Sequence, residues 1–499
     1  MGKAGSRAII LLSLGCFLIL SSPAEARTIE VWPGGPIPTI QKALTTAEDG
    51  DVIRVHPGKY DGRLVINKSI RLLGLEMPII DGEGLGDVIT IEADEVTVKG
   101  FEIIFSGKIL EETNAGIKIK SNNNLVEDNR FINNLFGVYL ERASENVIRR
   151  NLIKGRPVVR DLGKVTLDEN TAASSYDIKF AGDGGDGIHL FDSPENLMES
   201  NIITDTRDGI YFDYSYHNRV INNQIFNVRY GIHYMYSWYN NFEGNILLDN
   251  VAGAAPMFSK YIVFRNNVLA GSRGHRAYGI LFAHCDHSLA EGNIVFDNTR
   301  GFFLDHSMHN TIRNNLIAMN DIGLDLISSS TDNVFIDNNF IDNMQQIALI
   351  AFTVGRGNEF HASGRGNYWS DYRGFDLDQD GVGDIPHFTG DVFTYLMGKA
   401  PGVRLFLNSP AAKALEFSEK TFPVISIPKA EDPYPLINPA AVRIPEFLQI
   451  NKQATNKTLA LYSLAMLLAG IILYWRGLSL DKKVGSFRNL LKRGECSVK

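Results

Sequence analysis

The sequence predicts an all-β protein, a right-handed parallel β-helix with coils of about 22 residues, and three observations carry that prediction. First, glycines recur at a fixed period. Gly187, Gly209, Gly231 and Gly253 are 22 residues apart, one 26-residue step leads to Gly279, and Gly301 and Gly323 resume the period. Second, two polar ladders keep the same spacing. Six residues after each glycine comes Ser193, Ser215, Ser237, Ser259, Cys285, Ser307 or Ser329, and Asn201, Asn223, Asn245, Asn267, Asn293 and Asn315 form the other. Third, apolar residues fill the first and third positions after the glycine, as in Ile188/Leu190, Ile210/Phe212, Ile232/Tyr234 and Phe302/Leu304. That period of two marks a short strand with one buried face. Coils would stack at about 4.8 Å, bringing like residues above one another. Stacked amides and hydroxyls then hydrogen-bond along the axis, so both ladders are read as structural.

The elements follow in order. Residues 1–26 read as a secretory signal: Lys3 and Arg7 precede an apolar core, and Ala24-Glu25-Ala26 offers a small-residue cleavage site. Residues 27–100 read as the capped start of the helix, because a first coil otherwise exposes strand edges and apolar interior. Thr39–Ala47 carries a short amphipathic helical pattern there. Residues 101–390 are expected to hold the repeats, with Gly116 and Gly137 extending the glycine series and a polar insertion near 155–186. Past residue 345 the repeat dissolves. Residues 391–450 carry eight of the 18 prolines and read as a C-terminal wrap or linker. Thr458–Trp475 is an uncharged apolar stretch of 18 residues, just long enough to span a bilayer. The tail 476–499 is basic, so the positive-inside rule puts it in the cytoplasm and the large N-terminal part outside, anchored to the inner membrane.

Charge supports that division. The chain is −8 overall, the first 26 residues contribute +1 and the tail +5, leaving −14 for residues 27–475. An acidic ectodomain argues against nucleic acid as a partner. With Cys16 in the signal and Cys496 in the tail, Cys285 stands alone and no internal disulfide is available.

Three places could carry chemistry. Aligned on the glycine, the fourth position holds Asp213, Met235, Met257, Ala283 and Asp305 on successive coils. The fifth holds Tyr214, Tyr236, Phe258, His284 and His306, the eighth His217, Tyr239, Tyr261, His287 and His309, and the second includes His189 and His233. Thioether with imidazole suits copper, above all Cu(I). Met235, Met257, His233, His284 and His306 are therefore the candidate copper ligands; space-filling methionines and hydrogen-bonded histidines are the plainer alternative. Tyr236, Trp238, Phe258, His287 and His309 form the candidate docking face. Second, Asp305-His306 with Asp286-His287 could serve acid–base chemistry on an acidic glycan, although few basic residues are nearby to neutralise uronate groups. Third, Asp376, Asp378, Asp380, Gly381 and Asp384 match the start of an EF-hand-like calcium loop. Its twelfth position is His387, where a bidentate Glu is expected. A calcium ion there would be structural; a solvated acidic turn is the alternative.

Beyond the generic repeat, the chain resembles the NosD-type periplasmic accessory proteins of nitrous-oxide reductase maturation. The resemblance rests on Tyr230-Gly231-Ile232-His233-Tyr234-Met235-Tyr236-Ser237, on Met257-Phe258-Ser259 one coil later, and on Gly366-Asn367-Tyr368-Trp369-Ser370-Asp371-Tyr372 running into the acidic loop. Gly50-Asp51 and Pro57-Gly58-Lys59-Tyr60 add to it. It implies an exported maturation scaffold, not a turnover enzyme. Such a scaffold works with an ABC transporter permease and ATPase and a copper chaperone to assemble the copper–sulfur centre of nitrous-oxide reductase. The Met–His flank would then be a transient copper relay or a metallochaperone docking face. The membrane anchor is not part of the family's core pattern. A polysaccharide lyase, epimerase or hydrolase and a metal-free protein-binding scaffold stay as alternatives.

Overall fold

The structure is a computed structural model. It describes residues 26–155, 184–274, 277–327, 329–350, 357–389, 396, 401–406, 409–421 and 429–442. The signal, most of the insertion and the apolar stretch at 458–475 lie outside the described residues. Among the described residues, no helix is long and apolar enough to cross a membrane.

Each coil contributes one strand to each of three parallel sheets, giving a right-handed β-solenoid of about 13 turns. The glycine-led strands, such as Asp208–Asp213, Tyr230–Met235 and Ala252–Lys260, form a 12-stranded sheet, here the long-strand sheet. Three-residue strands such as Arg219–Ile221 and Gln224–Phe226 belong to the two 13-stranded sheets. Register is continuous: Asp213 pairs with Met235, Met235 with Met257, and Ala283 with Asp305. The step of 26 residues keeps this register, because its surplus falls in the turn between Val268–Ala270 and Tyr278–Asp286.

The periodic glycines are required by close approach rather than by a left-handed φ. A Cβ on Gly209 would lie 2.4 Å from the Gly231 carbonyl oxygen and 2.4 Å from Ile225 Cγ2. The interior is apolar, with Ile188, Leu190, Ile210, Phe212 and Ile232 fully buried. Each such side chain contributes roughly 1.5–3 kcal/mol relative to exposure. Tyr234 is the polar intruder, and Asn240 Nδ2 donates to its hydroxyl at 2.5 Å.

The ladders bond as the spacing predicts, except at the last serine rung, where Ser330 in place of Ser329 accepts from Ser307 N at 3.1 Å because the strand-to-turn spacing lengthens by one residue there. Asn201 donates from its backbone N–H and its Nδ2 to Asn223 Oδ1, at 2.9 and 3.0 Å, and Asn223 repeats the pattern onto Asn245. Two further asparagine ladders, which the sequence reading did not single out, turn the other corners: Asn146–Asn196–Asn218 and Asn298–Asn320–Asn343. Buried amides thereby satisfy the turns' backbone donors coil by coil.

Both ends are closed. Helix Ile40–Thr46, capped by Thr39 Oγ1 accepting from Lys42 N, buries Ile40, Ala43 and Leu44 at the first coil. Lys68 Nζ donates to the Leu44, Thr45 and Ala47 carbonyls at its C-terminus, where a cation suits the helix dipole. The solenoid runs further than the sequence pattern suggests: Gln345–Ile350 extends the long-strand sheet and Tyr368–Trp369 a short one. There Trp369 stacks on Phe340 and its Nε1 donates to buried Asp432 at 2.8 Å. Strand Ala430–Asp432 pairs antiparallel with His387–Thr389 over this end.

Candidate functional site

The outer face of the long-strand sheet carries the candidate ligands. In Tyr230–Met235, Ile232 and Tyr234 point into the core, so His233 and Met235 point out. Met257 stands opposite Met235 in register, half-buried like it. Both methionines therefore share one side of the rod, outside its dry interior. Beside them lies an apolar patch of Ala252, Ala255, Tyr278 and Leu281, against which Met257 and Ala283 pack. The Ala254-Ala255-Pro256 irregularity does not break the strand, which runs unbroken from Ala252 to Lys260.

His233 is held from behind. Its Nδ1 lies 2.8 Å from Asp208 Oδ2, and its ring sits between Tyr211 and Tyr230 at 4.5 and 4.9 Å. Asp208 is fully buried and also accepts from Arg229 Nε and Nη2 at 2.8 and 2.5 Å. Burial alone would raise this carboxyl; the bonds from His233 and Arg229 outweigh that and hold it well below the usual carboxylate range. A related unit lies around Asp186, one coil before Asp208: its histidine, His189, comes from the same coil, with Nδ1 2.8 Å from Asp186 Oδ2, and Arg207 joins from the next coil. Sequence reasoning noted both histidines but missed both carboxylates. The signal was there: Asp-Gly-Ile recurs at 186–188 and 208–210.

Asp213, beside Met235, is half-buried. Burial raises its carboxyl above the ordinary value, and the nearby His189 and His233 offset only part of that.

His284 and His306 stand apart from this strip, at the exposed exit of their strands. They belong to a ring ladder in which Tyr214, Tyr236, Phe258, His284 and His306 stack at 4.8–5.3 Å. A second ladder stacks His217, Tyr239, Tyr261, His287 and His309 at 4.8–5.4 Å. Every one of these ten residues has a left-handed φ, between 46° and 57°. Such a conformation disfavours bulky side chains, and nothing in the composition announces it. Tyr236, Trp238 and Phe258 are exposed, as are His287 and His309 of the second ladder.

The structure thus brings Met235, Met257 and His233 onto one strip and leaves His284 and His306 on the adjoining edge. Two thioethers and an imidazole with its Nδ1 already committed make a neutral donor set suited to Cu(I). Cys285 is not available to it. It is buried within the serine ladder, burial pushes its thiol far up, and its Sγ donates to the Pro256 carbonyl at 3.2 Å. Of the two Asp–His pairs, Asp305 bonds His306 Nδ1 at 2.5 Å, while Asp286 accepts from Met308 N and lies near Lys260.

The acidic turn gathers as expected. Asp376, Asp378 and Asp380 are the group of metal-ligating side chains whose oxygens converge within 4.8 Å among the described residues. Asp376 Oδ1 is buried without a hydrogen-bond partner, which fits a carboxylate oxygen that ligates a cation. The Asp380 N–H pulls the Asp378 carboxyl down, but the Asp380 charge, burial, Asp376 and Asp384 together raise it. Asp384 Oδ2 instead accepts from Leu377 N at 2.7 Å. His387, buried against Trp369, belongs to the closing strand pair.

Comparison with known proteins agrees with the family likeness. Residues 165–374 match the family described as "NosD: Periplasmic copper-binding protein (NosD)". A Pseudomonas aeruginosa protein named "Probable ABC transporter binding protein NosD" is 43% identical over 121 residues, 24% of this chain and 28% of that protein. Its Stutzerimonas stutzeri namesake is 40% identical over 118 residues, 24% and 26% of the two chains. The aligned parts span little more than a quarter of either relative. Among solved structures, the A-module of Azotobacter vinelandii mannuronan C-5 epimerase AlgE4 matches at 12% identity and TM-score 0.41, covering 66% of this chain and 87% of that one. The catalytic domain of a GH87 alpha-1,3-glucanase matches at 13% and 0.49, covering 70% of each. The likeness read from the sequence is thus matched over residues 165–374, where this chain is similar to the NosD family.

Proposed function

We propose that this protein is a periplasmic maturation factor that handles copper for the centre of nitrous-oxide reductase. It is not a turnover enzyme. The observation that carries this reading is the in-register placement of Met235 and Met257 on one outer strip with His233. Copper is cargo here. Neutral thioether and imidazole donors hold Cu(I) without adding charge, and the apolar patch beside Met257 excludes water from one side of the strip. His284 and His306 extend the donors toward the exposed corner, where Tyr236, Trp238, Phe258, His287 and His309 offer a docking face to a copper chaperone. An ABC transporter permease and ATPase are the further partners, and the apolar stretch 458–475 would tether the chain beside them, with the basic tail in the cytoplasm. Tethering raises local concentration without new contacts.

Cu(I) titration of the wild type against the Met235→Ala/Met257→Ala double variant tests this. The variant should bind more than about 100-fold more weakly at similar thermal stability, since Cu(I) selects soft sulfur ligands. Equal affinity would reject the assigned strip.

The acidic turn fits a structural calcium ion on Asp376, Asp378 and Asp380. Added Ca²⁺ should raise the melting temperature and protect the C-terminal closure from proteolysis, with EGTA reversing both and Asp380→Ala abolishing both. A Ca²⁺-independent melting curve would leave the turn simply solvated. A second reading, acid–base chemistry on an acidic glycan, gains support from Asp305–His306 alone. Release of unsaturated or epimerised uronates by the purified protein would favour it.

A further inference from the structure

We infer that Asp208 is a positioning residue for the copper-handling strip: it fixes the tautomer of His233 and so decides which ring nitrogen can meet the metal. This rests on the reading above that the strip binds Cu(I). A carboxylate can only accept, so the 2.8 Å contact from Asp208 Oδ2 requires the proton on His233 Nδ1. In the neutral imidazole, the form that can ligate a metal, Nε2 is then the unprotonated nitrogen and the only ring atom with a lone pair to give. Arg229 reinforces the choice. It grips both Asp208 oxygens, at 2.8 and 2.5 Å, and Tyr230 N donates to Oδ1 at 3.3 Å, so the carboxylate cannot rotate away. Tyr211 and Tyr230 pack against the ring edgewise, at 69° and 61°, which resists a ring flip. Arg229 also balances the buried charge, so the imidazole gains donor strength without an uncompensated anion beneath it.

The molecule supplies its own control. Asp186 holds His189 at the same 2.8 Å, is equally buried, and is gripped by Arg207 as Asp208 is by Arg229. Two things differ: His189 comes from the same coil as Asp186 whereas His233 reaches back to Asp208 from the next coil, and the strands carry different neighbours. Two residues after His189 comes Phe191, whereas two residues after His233 comes Met235. Any purely structural service of a buried Asp–His–Arg unit is common to both; service to the metal belongs to Asp208.

The test uses the full chain with Cu(I) competed against bicinchoninate. Asp208→Asn should weaken Cu(I) binding about 10–100-fold, the range for losing a carboxylate behind a ligating histidine. Asp186→Asn should change it less than about twofold, though both variants lose similar thermal stability. Unchanged affinity in Asp208→Asn, or equal loss in both, would overturn the inference. A readout on the wild type does not depend on any variant folding: long-range ¹H–¹⁵N spectra of ¹⁵N-histidine-labelled protein should show His233 protonated at Nδ1, with Nε2 shifting on Cu(I) addition. A His233 protonated at Nε2 would overturn it equally. The two readings fail differently. Wild type that takes up no Cu(I) overturns both. Binding lost in the methionine variant yet kept in Asp208→Asn overturns only this one.

Discussion

Two columns of the solenoid obey the same period and do opposite things with it. The asparagine column Asn201–Asn223–Asn245–Asn267 repeats one residue, buried, with one bonding pattern throughout. The fourth-position column on the outer face changes residue at nearly every coil, from Asp213 through Met235 and Met257 to Ala283 and Asp305, in unbroken register. Geometry comes from the columns that repeat, and chemistry from the columns that depart. An outer column of a 13-stranded sheet shows a third use. Lys99, Glu127 and Arg149 alternate in sign, as do Arg265, Glu291 and Arg313, which avoids like charges facing each other at strand spacing.

The comparison can be broken most forcefully at a repeating column. Gly209→Val places a side chain where the Gly231 carbonyl and Ile225 already sit, with no flexible neighbour to give way. It should cost about 3 kcal/mol or prevent folding, read by urea denaturation. A cost under about 1 kcal/mol would mean the coils can part locally. Asn223→Ala comes next. It removes the acceptor for two Asn201 N–H groups and leaves buried donors unpaired, so about 2 kcal/mol is expected by the same measurement.

A departing column should respond less, and with pH. Burial tends to raise the Glu127 carboxyl, but Lys99 and Arg149 outweigh it and hold it below its ordinary value. A depressed carboxyl contributes stability that is present above its unfolded value and lost as pH falls through the folded one. Glu127→Gln should therefore cost about 1 kcal/mol near neutral pH, and the difference from wild type should close on acidification below the usual carboxylate range. A gap that stays constant down to acid pH would assign the loss to packing instead of charge.

How much was legible follows the same line. The coil length, inward apolar pairs and serine and asparagine ladders were readable because each recurs at one spacing. The methionine strip was readable for the same reason, once register was assumed. Asp186 and Asp208 were missed, because a carboxylate before a glycine looks like a turn residue until it is seen buried beneath a histidine. The left-handed backbone of Tyr236, Phe258 and His284 was missed because aromatic and imidazole side chains rarely take that conformation.

By itself, the order of residues determined the period, the inward and outward faces and the residue types meeting in each column, because those depend only on chain length per coil and alternation along a strand. Only the tertiary structure decided which groups within a column are buried, which nitrogen of His233 is committed to Asp208, and that Cys285 is sealed inside while Met235 lies outside. Burial and hydrogen-bond direction are set by neighbours from adjacent coils and from the turns between sheets, and no spacing along the chain encodes them.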